Sequence, residues 1–344
     1  MGNELYFITN RNLVEENGKV ISFGKQFNSV SPVNLRLGKV IRTKKGKKIE
    51  LYEDIPTTES VNYDTDQQRK AGTIRLFHQL FKEMKSAEQV NKDTLVFIHG
   101  FNVSFDAAVE STFKFQEKLV SDRTNNVGRV ILFSWPSDGE IHKYYSDRGD
   151  AANSGLAFAR GFLKMRDFFV DFVHTLVPSE QCGGKIHLLC HSMGNYVLQC
   201  ALQHLKTIDL LNQGVIHLFS QIIMVAADVD SDCFEYPGKL QDLPKICERI
   251  TVYFNPQDMA LKISKMKHNR DRLGAYGPDH PLQIPNRVIL VDTTLRVHGM
   301  LEHSYYDDQG IFRDIVQTLN LVNVNAHSIE GRVYQQSNNT FVLS

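Results

Sequence analysis

Ser192 lies in the hexapeptide Cys190-His191-Ser192-Met193-Gly194-Asn195. A strand-like run, Lys185-Ile186-His187-Leu188-Leu189, precedes it, and a helix-like run, Tyr196-Val197-Leu198-Gln199-Cys200-Ala201-Leu202, follows. A serine at a sharp strand-to-helix turn projects its hydroxyl beyond the sheet edge, and the N–H of the next residue faces the same point. That placement suits an acyl-transfer nucleophile. The usual spacing is Gly-x-Ser-x-Gly, because both flanks must let strand and helix pass close to the turn; here Cys190 replaces the first glycine and Gly194 keeps the second. The competing reading of Ser192 alone is an ordinary helix N-cap.

A serine hydroxyl is a weak nucleophile until a base takes its proton and a carboxylate orients that base. Two acids stand just past strand-like runs: Asp258 in Asn255-Pro256-Gln257-Asp258, after 249–254, and Asp228 in Ala226-Ala227-Asp228, after 219–226. Two histidines, His298 and His303, follow the run 287–291. The chain order Ser, Asp, His fits an elbow nucleophile on a parallel sheet. The tetrahedral intermediate of acyl transfer also needs two N–H donors. Met193 supplies one by position; the loop Gly100-Phe101-Asn102 offers the other, Phe101 before Asn102. Asn102, Trp135 and Tyr144 are substrate-pocket candidates, with sheet-edge packing (Trp135) or a solvated loop (Tyr144) as the plainer readings. The alternation Asp228, Asp230, Asp232 hints at calcium but lacks the loop glycine and closing glutamate, so no metal is expected. His99 and His191 read as buried packing residues, without HExxH spacing for zinc.

The elements that must carry these residues alternate in type. Short β-rich stretches fill the first 60 residues, ending in a hairpin at 39–51 with a basic tip, Lys44-Lys45-Gly46-Lys47-Lys48, read as a solvated edge. From Ala71 the period becomes helical through Ile74, Leu76, Phe77, Leu80, Phe81 and Met84, followed by the apolar run Thr94-Leu95-Val96-Phe97-Ile98. Helices near 105–120, 151–176, 193–206 and 309–321 then interleave with strands at 129–134, 185–190, 219–226, 249–254 and 287–291. Continuous Val/Ile/Leu/Phe strands between helices predict an α/β fold with a mostly parallel sheet covered on both faces, whose ligands collect at the strands' carboxyl ends. The expected organisation is a β-rich segment 1–70 adding edge strands to a core at 71–324, and a polar tail at 325–344 that is either loose or a last edge strand.

Thirty-nine basic residues balance 39 acidic ones, so no global field favours nucleic acid or an anionic membrane. No apolar run approaches the roughly 18 residues that span a bilayer, so no stable membrane insertion is expected. Five scattered cysteines, Cys182, Cys190, Cys200, Cys233 and Cys247, form no CxxC pair and fit a reduced, cytoplasmic setting.

Phe97-Ile98-His99-Gly100-Phe101-Asn102, Phe133-Ser134-Trp135-Pro136-Ser137 with Tyr144 and Asp147, and Cys190-His191-Ser192-Met193-Gly194 together resemble a bacterial family of uncharacterised α/β-hydrolase domains. Tyr253-Phe254-Asn255 with Asp258-Met259-Ala260-Leu261, then Glu302-His303-Ser304-Tyr305-Tyr306, match its later blocks in order, and Phe7-Ile8-Thr9-Asn10-Arg11 resembles its opening strand. The resemblance runs from about residue 5 to about residue 310 and favours one domain. It implies an α/β-hydrolase fold with Ser192 as nucleophile, Asp258 as acid and His303 as base, leaving Asp228 and His298 as alternatives. The expected activity is cleavage of a carboxylic ester or related acyl bond, from a small-molecule or lipid-like substrate, through an acyl-enzyme and without a cofactor. The alternative is a catalytically idle fold serving as a binding or effector-associated module.

Overall fold

In a computed structural model, which describes residues 2–52, 72–87, 92–173, 176–177, 180–207, 217–237, 239–297, 302–320 and 326–344, the apolar runs become strands and the amphipathic stretches helices. The chain divides into two compact units, Met1–Phe97 with Asn102–Lys185, and Ile98–Phe101 with Ile186–Ser344. The first mixes parallel and antiparallel strands and the second is mostly parallel, both with helices between strands, which is the α/β class expected.

The first unit contains β1 (Glu4–Thr9), β2 (Arg11–Glu16), β3 (Lys19–Phe27), β4 (Arg36–Thr43), β5 (Gly46–Tyr52), α1 (Gly72–Ser86), β6 (Asp93–Ile98), α2 (Phe105–Ser121), β7 (Val127–Ser134) and α3 (Tyr144–Asp171). Its strand order is β6-β7-β1-β4-β5. β1 runs parallel to β7, while β4 and β5 are antiparallel additions. All six residues of β6 are buried, as a strand covered on both faces requires, whereas β5, at the edge, is exposed over Gly46–Lys48 and half-buried over Ile49–Leu51. On α1, the helical-period residues Ile74, Leu76, Phe77, Leu80, Phe81 and Met84 are all buried. β2 and β3 form a separate hairpin turned by Asn17 and Gly18 at φ +51° and +69°, the pair of positive φ values that a two-residue type I′ turn needs. Helix α3 starts at Tyr144, about two turns before the expected 151. The early turn holds Asp147, whose carboxylate faces the protein and not solvent.

A polar centre lies at the heart of this unit. Arg11, fully buried, donates to Ser134 Oγ (3.0 Å), Gly24 O (3.0 Å), Ser137 O (3.1 Å) and Val103 O (2.8 Å). Asp147, also fully buried, accepts from the Ser137 hydroxyl, Asp138 N–H (2.9 Å) and Asn102 N–H (3.4 Å). The Thr9-Asn10-Arg11 and Ser134-Trp135-Pro136-Ser137 motifs thus meet in one hydrogen-bonded network, and Trp135 itself has no exposed surface.

The second unit contains β8 (Ile186–His191), α4 (Gly194–Thr207), β9 (Phe219–Val225), β10 (Cys247–Phe254), α5 (Met259–His268), α6 (Leu273–Tyr276), β11 (Val288–Asp292), α7 (Gln309–Asn320), β12 (Arg332–Gln335) and β13 (Thr340–Leu343). β8, β9, β10, β11 and β13 pair in parallel in that order, and β12 closes the edge antiparallel. The polar tail therefore supplies two strands. It is fastened by the buried pair Arg332–Asp314 (2.6 Å), with Tyr253 Oη donating to the same carboxylate at 2.6 Å. Among the described residues, no helix is long and apolar enough to cross a membrane.

Candidate active site

Ser192 sits between the end of β8 and the start of α4, with φ at +52°. A non-glycine residue in the left-handed region carries strain of about 1–3 kcal/mol and persists only where its neighbours fix it. Here they do. Ser192 N–H donates to Val225 O (2.9 Å), Ser192 O accepts from Asp228 N–H (3.2 Å), and Asn195 Nδ2 donates to both Cys190 O (3.0 Å) and Ser192 O (3.1 Å). The elbow forms with Cys190 in place of the usual first glycine. Burial pushes that thiol's pKa well above its ordinary value, which leaves it inert at neutral pH.

The second glycine cannot be replaced without moving backbone. A Cβ on Gly194 would lie 2.6 Å from Ile98 O and 2.8 Å from His99 O, and one on Gly100 would lie 2.8 Å from Ser192 Cβ. The segment 98–101 is thus pressed directly onto the elbow. His99 Nδ1–H donates to Gly100 O at 2.8 Å. Across the trans peptide that follows, the Phe101 N–H points opposite to the held carbonyl. Met193 precedes α4, whose first-turn N–H groups have no intrahelical acceptor.

His303 Nδ1 lies 2.7 Å from Asp258 Oδ2. Asp258 caps α5, accepting Leu261 N–H at Oδ1 (3.1 Å), and its Oδ2 also accepts the Tyr305 hydroxyl (2.6 Å). Burial alone would raise this carboxyl. The His303 hydrogen bond and charge, the Tyr305 hydroxyl and the Leu261 N–H outweigh it and leave the pKa below its ordinary value. Since a carboxylate only accepts, Nδ1 carries the proton and Nε2 is left as the basic nitrogen.

His191, next to Ser192, reaches the same histidine. Its Nε2 is 3.1 Å from His303 O, so it donates there, and the two rings stand 4.9 Å apart. Burial, then the charge of His303, lowers its pKa to about 3, so His191 is neutral at physiological pH. His303 borders a cavity of about 470 Å³ whose wall includes Glu302, Asp307 and Asp308.

The alternative acid Asp228 is engaged elsewhere: it accepts from Ser264 Oγ (2.5 Å) and lies 3.4 Å from Arg272 Nε. Asp230 and Asp232 are likewise held by Arg272, Lys239 and Arg270, so cationic side chains already occupy the aspartate alternation. The alternative base His298 lies outside the described residues. Ser192, Met193, Phe101, Asp258 and His303 all belong to the second unit; Asn102, Trp135 and Tyr144 belong to the first. Of these three, Trp135 and Tyr144 are buried and Asn102, at φ +62°, is half-buried. Sequence reasoning missed Tyr305 as a partner of the acid. Its only signal was its position two residues after His303.

A family model described as alpha/beta hydrolase of unknown function (DUF900) matches residues 77–319. The chain is 24% identical over 311 residues to the uncharacterized protein alr1448 of Nostoc sp. (strain PCC 7120), covering 71% of this chain and 78% of that one. Among solved structures, phospholipase PlaB from Legionella pneumophila is similar at 15% identity and a TM-score of 0.28, over 63% of this chain and 42% of that one. Its complex with thio-NAD gives 14%, 0.26, 58% and 37%. The chain spans less than half of the phospholipase's length.

Proposed function

This chain belongs to the DUF900 family of alpha/beta hydrolases, and we propose that it is a serine hydrolase that cleaves a carboxylic ester or related acyl bond through an acyl-enzyme. The observation that carries the reading is the 2.7 Å contact of His303 Nδ1 with Asp258 Oδ2. It fixes the tautomer a general base needs, on a histidine whose main chain is held by the residue beside Ser192.

In the proposed reaction, His303 Nε2 takes the Ser192 proton as the hydroxyl oxygen attacks the substrate carbonyl, and Asp258 stabilises the imidazolium. The carbonyl electron pair moves onto oxygen, where the N–H groups of Met193 and Phe101 receive it. The imidazolium returns its proton to the departing alcohol, and the acyl-Ser192 ester remains. Water, deprotonated by His303, then releases the acid and restores the serine. No cofactor enters these steps. A small-molecule or lipid-like ester is the substrate class of this reading. The five free, buried cysteines accord with a cytoplasmic setting.

Purified protein should cleave short-chain p-nitrophenyl esters and take a fluorophosphonate label on the peptide containing Ser192. Ser192→Ala should abolish both while leaving the melting temperature within a few degrees. Intact protein that shows neither reaction would sink the reading and favour the idle-fold alternative.

A further inference from the structure

We propose that Tyr305 is a positioning residue of the base–acid pair: by sharing Asp258 Oδ2 with His303, its hydroxyl sets how strongly the carboxylate holds the imidazolium. The inference rests on the triad reading above and adds to it a residue that tunes the base.

Three donors converge on one buried carboxylate. Oδ1 takes the Leu261 N–H, while Oδ2 takes both His303 Nδ1 at 2.7 Å and the Tyr305 hydroxyl at 2.6 Å. Tyr305 is almost fully buried and opens the short 3-10 turn Tyr305–Asp307, two residues after His303, so base and clamp ride on one segment. Its hydroxyl oxygen also lies 3.3 Å from Gly274 O. That carbonyl belongs to a residue with no room to shift, since a Cβ on Gly274 would lie 2.1 Å from Ala227 N. The hydroxyl is therefore aimed from a fixed ring at a fixed oxygen.

The chemistry follows from charge division. A carboxylate oxygen that accepts two short hydrogen bonds shares its negative charge between them, and each donor weakens the hold on the other. Burial, then the charge of Asp258, raises the Tyr305 pKa far above its ordinary value, so the phenol stays a donor through the working pH range. Removing the hydroxyl returns charge density to the oxygen facing Nδ1, stabilises the imidazolium and raises the pH at which His303 loses its proton. The other groups facing His303 are unchanged by that removal. They are the neutral His191 ring from β8, with Tyr306 packed on its far side, and Glu302, Asp307 and Asp308 along the cavity, of which Asp308 is paired with Arg296.

The test is an NMR titration of the imidazoles in the full chain, with the His303 signal assigned through His303→Gln. Tyr305→Phe should move the His303 midpoint upward by about half a pH unit or more. Replacement of Tyr305 by 3-fluorotyrosine, a stronger donor that keeps the ring, should move it downward. The acid limb of kcat/KM for ester cleavage should shift with each midpoint. A merely structural Tyr305 would lower the melting temperature and leave both midpoints where they were, which would overturn the inference. Midpoints that move in a protein without esterase activity would remove the proposed function and leave the charge sharing standing. Esterase activity with unmoved midpoints would remove only the inference.

Discussion

Asp258 and Asp147 are both buried carboxylates held by three hydrogen-bond donors, yet their acidities move in opposite directions. Asp258 lies below the usual carboxylate value because the His303 bond and charge, with Tyr305 and Leu261, outweigh burial. Asp147 lies above it: burial leads, the Ser137 hydroxyl and the Asp138 and Asn102 N–H groups oppose, and the neighbouring Asp138 adds repulsion. The nearby Arg11 does not reverse this, since its hydrogen bonds go to three carbonyls and the Ser134 hydroxyl. Burial takes Arg11 down to about 9, against the pull of Asp147, Asp138 and Asp150. What separates the two centres is a titratable ring bonded directly to one acid and a crowd of acids around the other. In the proposed reaction the first arrangement moves a proton; the second holds strands and loops together.

The two centres part most sharply under substitution of Asp258 in one and Arg11 in the other. Asp258→Asn should lower kcat for ester cleavage by on the order of 10⁴-fold, since an amide no longer holds the His303 tautomer, with a small change in melting temperature. Steady-state kinetics beside calorimetry checks both halves, and a loss under tenfold would argue that Asp258 is not the acid. Arg11→Met should do the reverse, costing about 3 kcal/mol or more of stability by chemical denaturation, because four acceptors lose a buried donor. Its activity per folded molecule should stay within a few-fold of the parent.

A smaller effect separates the centres by pH. Asp150 is held up to about 6, by burial first and then by Asp147 and Asp138. A carboxyl whose folded pKa exceeds its unfolded value costs stability above the folded pKa. That cost disappears as pH falls through about 6 toward the ordinary carboxylate value. Asp150→Asn should therefore stabilise the protein modestly at pH 7 and flatten the stability profile between pH 7 and about 4, read from denaturant midpoints. Asp258 carries the opposite sign: its contribution is present above the unfolded pKa and is lost as pH falls through the lowered folded value. A parent profile with no rise on acidification from pH 7 would count against the acidic crowding in the first unit.

The helical and apolar periods carried most of the architecture. β6, β8, β9 and β10 lie within two residues of their expected bounds, because strands covered on both faces read as unbroken apolar runs. Less legible were features written in polar residues. The β2–β3 hairpin is encoded in the Asn17-Gly18 pair and not in any apolar period. The first turns of α3 were read as a loop because Tyr144-Tyr145-Ser146-Asp147-Arg148-Gly149 shows no apolar period, its ordering force being the hydrogen bonds to Asp147. At the site, the pairing of His303 with Asp258 agrees with the chain-order argument, while Tyr305 and the His191 bond to His303 O are contacts between side chains and loops that no spacing rule encodes.

Gly194 seats the Ser192 elbow on the main-chain carbonyls of Ile98 and His99, and Gly100 brings bare main chain against the Ser192 side chain. The dimensions of this seat are then set by peptide bond lengths and not by how neighbouring side chains happen to rotate. Efforts to reshape this scaffold have almost no freedom in the ledge on which the serine rests.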